Sequence, residues 1–380
     1  MIYILSGVET INKGAELMLY AILQEIEARD PKAVVYLPTA RMPGGLASVK
    51  TRLDIRELPY HKLTSACAKM RITGALNRIG LWSEFLNEVV PVHKADYFLD
   101  ASGLHFTDQM GFGKPMIRYW ETLLKNYHAQ GTRIVFLPQA FGPLEQAATR
   151  QAVAALDKYA DVIMPRDDIS ARYLGEVLEY PEKMHLFRDF TTLVKGVVPE
   201  QLKHLEGSVC IIPNYQMVRK GIIVKEAYID FLATLAETLK SGGHGVFFLD
   251  HENDAPLLLT DRRITDGFEV VRGLHALEIK GLIGISSLCI TSRFHGAVSA
   301  LNEGVPCLAT SWNHKYQALL EGFGQENCLL PVDNPARSIE MAFELLQEPR
   351  HSAVTARLKE KADQLRQENR AMWDLIWNLQ

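Results

Sequence analysis

LCITSRFHGAVSALNEGVPCLAT, residues 288 to 310, reads as a strand, a turn, a helix and the start of a second strand. LCITS is an apolar run typical of strands that are buried on both faces of a parallel sheet. GAVSALNEG has helical spacing, and Gly304 ends the helix. Arg293 and His295 are therefore predicted at the carboxyl end of a strand, which is where parallel α/β sheets bind ligands.

The same alternation of strands and amphipathic helices extends through most of the chain. It predicts an α/β fold with two Rossmann-like domains, whose parallel sheets face a cleft in a GT-B-like architecture. The predicted strands are MIYILSG, VVYLPT, DYFLDASG, RIVFLPQAFG and DVIMPR, followed by SVCIIPN, GVFFLD, FEVVRG, LCITSR, PCLATSW and CLLPV.

The mixed stretch from about 185 to 206 separates these two series of strands. We predict an N-terminal domain over 1–190, on the acceptor side, and a C-terminal domain over 206–348, on the donor side. Residues 350–380 are charged and have helical spacing, so they are expected to form a helix that packs back on one of the domains.

Composition narrows the class of protein. The chain has 380 residues, a formal net charge of -4 and five cysteines without a CxxC pair. This balance argues against nucleic acid as a partner, and the scattered cysteines indicate reduced core thiols. The N-terminus lacks the features of a signal peptide, and no apolar run reaches the roughly 18 residues of a membrane span. We therefore expect a cytoplasmic protein and leave peripheral attachment to the inner face of the membrane open.

The turn at Arg293 and His295 has the chemistry of an anion site with a proton donor. Arg293 offers a fork of donors that matches a carboxylate or phosphate. His295 can transfer a proton near neutral pH. Gly296 would allow close approach of the backbone, and the start of the helix adds free N–H groups. The simpler alternative is that both side chains only cap and orient the turn.

Several segments resemble the polysaccharide pyruvyl transferase family. The most specific is SRFHGAVSALNEGVPCLATSWNHKY, residues 292 to 316, in which RxHG is combined with NHKY. ETINKGAELMLYAIL, DASGLHFTDQMG, LPQAFGPL and PRDDIS precede it in the family's order. The resemblance implies transfer of pyruvate from phosphoenolpyruvate to a sugar, forming a cyclic ketal and releasing phosphate. It implies no cofactor besides this donor substrate, and no metal motif is evident in the sequence.

The resemblance also implies roles for particular residues. Arg166 would clamp phosphoenolpyruvate, and an anion bound by Arg166 and Arg293 would bridge the two domains; the alternative for Arg166 is a salt bridge to a neighbouring aspartate. Lys315 would lie near the donor anion as a catalytic residue beside Arg293 and His295, with Asn313 as a weaker neighbour. Asn12 and Gly14 would form a binding loop, although capping and opening the first helix would also explain them.

Asp100 and Gln139 lie toward the ends of predicted strands, and Asp108 lies in the loop that follows DYFLDASG. These residues suit a wall that binds the acceptor, and an aspartate there could act as a base toward a sugar hydroxyl. Turn formation is the equally good alternative, because Asp side chains often bond to nearby backbone. Gln139 could likewise only support the turn that follows it.

The acceptor is expected to be a sugar of a surface polysaccharide or its lipid-linked oligosaccharide precursor. The helix-like stretch 61–90 combines basic and apolar residues, so it could contact a membrane or lipid-linked acceptor, although a helix packed on the core is the commoner case. Two alternatives remain open: a GT-B glycosyltransferase that uses a nucleotide sugar, and a non-catalytic protein that binds a sugar or anion. Formation of a homo-oligomer is also left open.

Overall fold

The computed structural model describes residues 1–58, 95–252, 255–310 and 315–379. The chain divides into two compact units. Unit 1 consists of Met1–Leu193 and Glu368–Gln380, and unit 2 consists of Val194–Gln367. Each unit is an α/β structure and is described by itself.

In the described residues, the sheet of unit 1 has six parallel strands in the order β3-β2-β1-β4-β5-β6. This is a doubly wound order, whose topological switch point lies between β1 and β4. The strands are β1 (Ile2–Ser6), β2 (Val34–Leu37), β3 (Asp54–Glu57), β4 (Tyr97–Asp100), β5 (Arg133–Gln139) and β6 (Val162–Pro165).

Helices cover this sheet and complete an aromatic core. All four residues of β4 are buried, as its apolar sequence predicts. Phe98, Phe136 and Trp120 belong to the core between the sheet and the helices. The helices of unit 1 are α1 (Lys13–Arg29), α2 (Lys114–Ala129), α3 (Ala147–Tyr159) and α4 (Asp168–Gly175).

Within the described part of unit 2, five parallel strands follow the order β11-β10-β7-β8-β9. This order is again doubly wound, and its switch point lies between β7 and β10. The strands are β7 (Val209–Ile212), β8 (Val246–Leu249), β9 (Glu269–Val271), β10 (Leu288–Thr291) and β11 (Cys307–Ala309).

The helices of unit 2 share one hydrophobic core with these strands. Cys210, Cys289 and Cys307 pair across β7, β10 and β11, and all three are buried free thiols, as the sequence indicates. The helices are α5 (Gln216–Arg219), α6 (Lys225–Ser241), α7 (Ala255–Leu258), α8 (Arg262–Thr265), α9 (Ala276–Gly284), α10 (Phe294–Asn302), α11 (Lys315–Gly322), α12 (Pro335–Leu346) and α13 (Arg350–Trp377).

The end of α13, from Glu368 onward, is part of unit 1. The ring of Trp377 makes edge contacts with Tyr3 and Tyr97, at centroid distances of 6.1 and 5.5 Å. Asn369 donates a hydrogen bond from Nδ2 to the Asp189 carbonyl at 2.8 Å. None of the helices in the described ranges is both long and apolar enough to span a bilayer.

Two strands differ from expectation. β3 was not predicted, because its sequence DIRE lacks an apolar run; it forms the edge of the sheet, where charged residues are tolerated. CLLPV was predicted as a strand, but the structure contains only a single bridge between Ala309 and Leu329. Pro331 follows two residues later and has no N–H to continue the pairing.

Candidate functional site

The switch point of unit 2 brings together the ends of β7 and β10. Arg293 follows β10 and is the N-terminal cap residue of α10, with an extended backbone at φ -106° and ψ 127°. The first N–H groups of a helix have no partner within the helix and carry a partial positive charge. Arg293 therefore adds a side-chain cation to the positive end of a helix, as the sequence predicts.

A buried hydrogen-bond network fixes the turn that carries Arg293. The Ser292 carbonyl accepts bonds from Asn214 Nδ2 at 2.9 Å and from the Tyr316 hydroxyl at 2.8 Å. The Ser292 hydroxyl is 2.6 Å from the Tyr228 hydroxyl and accepts from Thr310 Oγ1 at 2.5 Å. All five residues are buried, and burial raises the pKa of Tyr228, so its phenol stays neutral. Satisfied networks of this kind give a buried turn a single conformation.

The Arg293 guanidinium is largely shielded from solvent and forms an ion pair with Glu252, which follows β8. Its backbone N–H donates to Thr291 Oγ1 at 2.9 Å. The Glu252 side chain is 23% exposed. The Glu252 carboxylate thus occupies the position at which an anionic ligand would contact Arg293. Such a ligand would have to bind beside this carboxylate or displace it.

His295 lies on the first turn of α10 and is half-buried. Its ring meets Phe294 edge-on at 5.5 Å. Gly296 follows and is buried. A Cβ at Gly296 would come within 2.8 Å of Thr291 Oγ1 and 3.3 Å of Ile212 Cδ1. The absence of a side chain at Gly296 therefore allows close contact of the helix with the sheet. This packing role comes in addition to the ligand approach that was predicted.

Some predicted site residues fall outside the described part of the chain. Asn313 is one of them, and so is the helix-like stretch 61–90. Lys315 begins α11, but its side chain also lies outside the described part. Their proposed roles stay predictions.

The switch point of unit 1 joins the loops after β1 and β4. Asn12 caps α1 by accepting from the N–H groups of Gly14 and Ala15, at 2.9 and 3.2 Å. Gly14 lies buried in the first turn. Glu16, also buried, forms an ion pair with Lys13 Nζ at 2.6 Å. Asn12 thus caps α1, which was the alternative to a ligand contact. The capped loop lies at the edge of the sheet where a ligand would bind.

Asp100 is fully buried at the end of β4, and its carboxylate receives three hydrogen bonds. Oδ1 accepts from the Ser102 N–H at 3.2 Å and from Gln139 Nε2 at 3.1 Å, and Oδ2 accepts from the Ser102 hydroxyl at 3.0 Å. Gly7 makes room for this turn, because a Cβ there would lie 2.3 Å from Ser102 Oγ. Gln139 thus positions Asp100, and Ser102, which also bonds to Asp100, is half-buried.

Asp108 has a local structural task. Its two carboxylate oxygens accept from the N–H groups of Glu145 and Gln146, at 2.8 and 3.2 Å, just before α3. These bonds are the turn chemistry that was the alternative to a ligand contact. The structure does not bring Asp108 together with Asp100 in one hydrogen-bond network among the described residues.

Arg166 follows β6, and its N–H donates to the Gln139 carbonyl at 3.0 Å. Its Nε atom is 4.0 Å from Asp167 Oδ2, at the limit of an ion pair, and Asp168 pairs instead with Arg188 at 3.1 Å. Burial lowers the pKa of Arg166, while Asp189 and Asp167 act in the opposite direction. An arginine pKa is so high that the guanidinium remains a cation at neutral pH.

Sequence reasoning missed the residues that support the site. Asn214 and Ser292 were not selected, although Ser292 directly follows a buried strand and Asn214 lies two residues after one, and those positions could have identified them. Glu252 was missed because only its contact with Arg293 makes it notable. His105 and Trp120, which form a hydrogen bond described below, are separated by 15 positions and leave no local pattern.

Among the described residues, no group of three or more His, Cys, Asp or Glu side chains is placed to hold a metal ion. The side chains that could hold a ligand are instead hydrogen-bonding and cationic groups at the two switch points. Two doubly wound sheets with such sites define the class: this is a two-domain α/β protein of the GT-B type.

Known structures agree with this class. HepE from Anabaena, solved with UDP, is 13% identical, covers both chains completely and gives a TM-score of 0.58. A putative UDP-N-acetylglucosamine 2-epimerase from Listeria monocytogenes is 12% identical over 96% of this chain and 94% of its own, with a TM-score of 0.59. WaaG, a glycosyltransferase involved in lipopolysaccharide biosynthesis, is 13% identical over both whole chains, with a TM-score of 0.54. Identities this low show a common fold alone.

The family follows from the sequence itself. The profile of the polysaccharide pyruvyl transferase family matches residues 12–314, which is most of the chain. The protein therefore belongs to the polysaccharide pyruvyl transferase family, as its motifs indicate. A comparison with curated proteins gave no match.

Proposed function

We propose that this protein transfers the pyruvate unit of phosphoenolpyruvate to two hydroxyls of a sugar, in a polysaccharide or its lipid-linked precursor. The product is a cyclic ketal, and phosphate is released. The observation that carries the proposal is the placement of Arg293 and His295 at the start of α10, at the switch point of unit 2. This turn supplies a cation, helix N–H groups and a proton donor within three residues.

Phosphoenolpyruvate suits such a turn because it carries both a carboxylate and a phosphate. A guanidinium binds either group through two parallel hydrogen bonds, and free N–H groups at a helix start favour the same charge. In the present structure Arg293 is paired with Glu252, so the donor would compete with a carboxylate that is already in place. Arg166 is proposed as a second donor-binding cation, with Lys315 as a third.

The reaction needs a proton donor and two deprotonations. Transfer of a proton from His295 to C3 of the enol makes C2 electrophilic, and the first sugar hydroxyl adds to C2 with loss of its proton. Departure of phosphate makes C2 electrophilic again, and the second hydroxyl closes the ketal and loses its proton. One of the two released protons restores His295, and the other leaves with phosphate or solvent.

The acceptor is proposed to bind at the switch point of unit 1. The Ser102 hydroxyl donates to the buried Asp100, so its oxygen is left with lone pairs that can receive the hydrogen of a sugar hydroxyl. A proton taken from the acceptor could pass through Ser102 to Asp100. Because phosphoenolpyruvate is a metabolite of the cytoplasm, we place the reaction there.

A thermal-shift titration with phosphoenolpyruvate tests the donor. Stabilisation of the wild-type protein is expected, because a ligand that binds only the folded state raises its stability. The shift should be lost in Arg293→Ala and partly kept in Arg293→Lys, which retains the charge without the fork. UDP and GDP serve as controls. Stabilisation by a nucleotide alone would replace the proposal with a nucleotide-sugar glycosyltransferase, and stabilisation by sugar alone would indicate a non-catalytic binding protein.

A further inference from the structure

The loop after β4 carries a histidine whose hydrogen bonding is unusually restricted. Trp120 Nε1 lies 3.1 Å from His105 Nε2. Trp120 is buried, and His105 is half-buried on the same loop as Asp100 and Ser102. Among the described residues, His105 Nδ1 has no hydrogen-bond partner.

This contact determines which nitrogen of His105 carries the proton. An indole N–H can only donate, so His105 Nε2 must present a lone pair to Trp120. In a neutral imidazole the other nitrogen then holds the hydrogen. His105 therefore has its N–H at Nδ1, the nitrogen that does not face Trp120.

The surroundings of His105 keep the ring neutral. The rings of Phe106, Phe112 and Trp120 pack around it at centroid distances of 5.1, 5.4 and 5.4 Å. Burial among them lowers the pKa of His105, and the Asp100 carboxylate offsets this only in part. A second proton would also place an N–H at Nε2 against the N–H of Trp120. His105 is thus poorly suited to act as an acid or a base, and well suited to donate one hydrogen bond.

A neutral donor beside a carboxylate favours an uncharged ligand. The negative charge of Asp100 opposes an anion on this loop, whereas a sugar hydroxyl or ring oxygen accepts a hydrogen bond without charge. We propose that Trp120 locks His105 as a hydrogen-bond donor at Nδ1, and that this donor binds an oxygen of the acceptor sugar. The identity of the ligand rests on the proposed function, whereas the lock itself does not.

Nitrogen NMR of ¹⁵N-histidine-labelled protein tests the lock without any ligand. At neutral pH, His105 should show a protonated Nδ1 and an unprotonated Nε2. In Trp120→Phe the donor is removed, so the two tautomers should become mixed. A wild-type His105 with its proton on Nε2, or a ring that is charged at neutral pH, would overturn the inference.

Two isosteric variants test the ligand contact. The amide nitrogen of Asn overlays Nδ1, so His105→Asn keeps the donor that would face the sugar and loses the hydrogen bond with Trp120. The amide of Gln overlays Nε2, so His105→Gln keeps the hydrogen bond with Trp120 and loses the donor that would face the sugar. We would measure stabilisation by methyl glycosides of glucose, galactose and N-acetylmannosamine with saturating phosphoenolpyruvate. Loss of the donor that would face the sugar should weaken the best sugar about three- to tenfold.

The outcomes separate this inference from the proposed function. Sugar binding that is kept in His105→Asn and weakened in His105→Gln supports the donor role. Equal binding by both variants, or no wild-type stabilisation by any sugar of the panel, overturns it. Binding of phosphoenolpyruvate by the wild type is scored separately, and its failure would refute the proposed donor while leaving the NMR result for His105 intact.

Discussion

The two switch points of this protein have the same topology and opposite electrostatic character. In unit 2, the loop after β10 presents Arg293 and the positive end of α10. In unit 1, the equivalent loop after β4 presents the buried carboxylate of Asp100 and the neutral ring of His105. Since topology does not distinguish the two loops, the side chains are the basis for the ligands that we propose: an anion in unit 2 and an uncharged polyol in unit 1.

The two loops are also held by different means. Ser292 and its partners form a buried hydroxyl network behind Arg293. Aromatic rings surround His105, and Asp100 is held by Ser102 and Gln139. In both units the supporting groups are buried, whereas His295 in unit 2 and Ser102 and His105 in unit 1 are half-buried. This arrangement preorganises a site, because the supporting bonds do not have to form when the ligand arrives.

The largest effect is expected from removing the proposed proton donor of unit 2. His295→Ala should lower kcat about 10²- to 10⁴-fold, because a positioned general acid contributes that much. Affinity for phosphoenolpyruvate should change little, since Arg293 and the start of α10 remain. Rates of phosphate release and calorimetric binding of phosphoenolpyruvate would measure the two quantities. Full turnover in this variant would eliminate His295 as the acid.

The next effect concerns the cation of unit 2. Arg293→Ala should weaken phosphoenolpyruvate about 30- to 100-fold, because a charge-assisted bond to an anion is worth roughly 2–3 kcal/mol. Arg293→Lys is the matched control and should fall in between. Calorimetry with each variant gives the dissociation constants. If donor affinity were the same in all three proteins, the anion site would have to lie elsewhere.

Asp100→Asn tests the other side of the comparison. The variant keeps the size of the side chain and removes the charge that we propose receives a proton through Ser102. Transfer to a sugar should fall at least about tenfold, whereas affinity for phosphoenolpyruvate should remain that of the wild type. If the variant instead lost affinity for phosphoenolpyruvate, Asp100 would belong to the site of the donor substrate. The proposal of one ligand at each switch point would then be wrong.

The sequence predicted the positions of these sites better than their internal structure. Arg293 and Asp100 were placed correctly at strand ends, because apolar runs and a glycine-bounded helix show where a buried strand stops. The support of Arg293 by Asn214, Tyr228 and Thr310 could not be predicted, since these residues are far apart in the chain and meet only through strand order. Strand order depends on the packing of the whole sheet, which local patterns do not encode.

A smaller effect is expected at the carboxylate that pairs with Arg293. Glu252→Gln removes a competing negative charge, so phosphoenolpyruvate should bind about three- to tenfold more tightly. The variant keeps the size of the side chain and some capacity for hydrogen bonding, which limits disorder at Arg293. Calorimetry at two salt concentrations would show whether the gain is electrostatic. Weaker binding would mean that Glu252 orients Arg293 for the donor rather than competing with it.

The smallest predicted effect is the pH dependence that His105 adds to stability. Its pKa in the folded state is lower than its ordinary value of 6.5. Between the lowered pKa and pH 6.5, the folded protein therefore binds fewer protons than the unfolded chain. The contribution of neutral His105 to the free energy of unfolding is therefore complete above pH 6.5, and it is lost as the pH falls through the lowered pKa. Trp120→Phe removes the N–H that opposes protonation, so the pKa of His105 should rise toward its ordinary value.

Urea unfolding at pH 8 and pH 5 would measure this linkage. The loss of unfolding free energy between the two pH values should be smaller in Trp120→Phe than in the wild type, by less than about 1 kcal/mol. The variant also loses a hydrogen bond at both pH values, and taking the difference removes that cost. An unchanged difference would mean that the aromatic rings alone keep His105 neutral. The contrast between the units would then rest on burial and on Asp100, with Trp120 selecting only the tautomer.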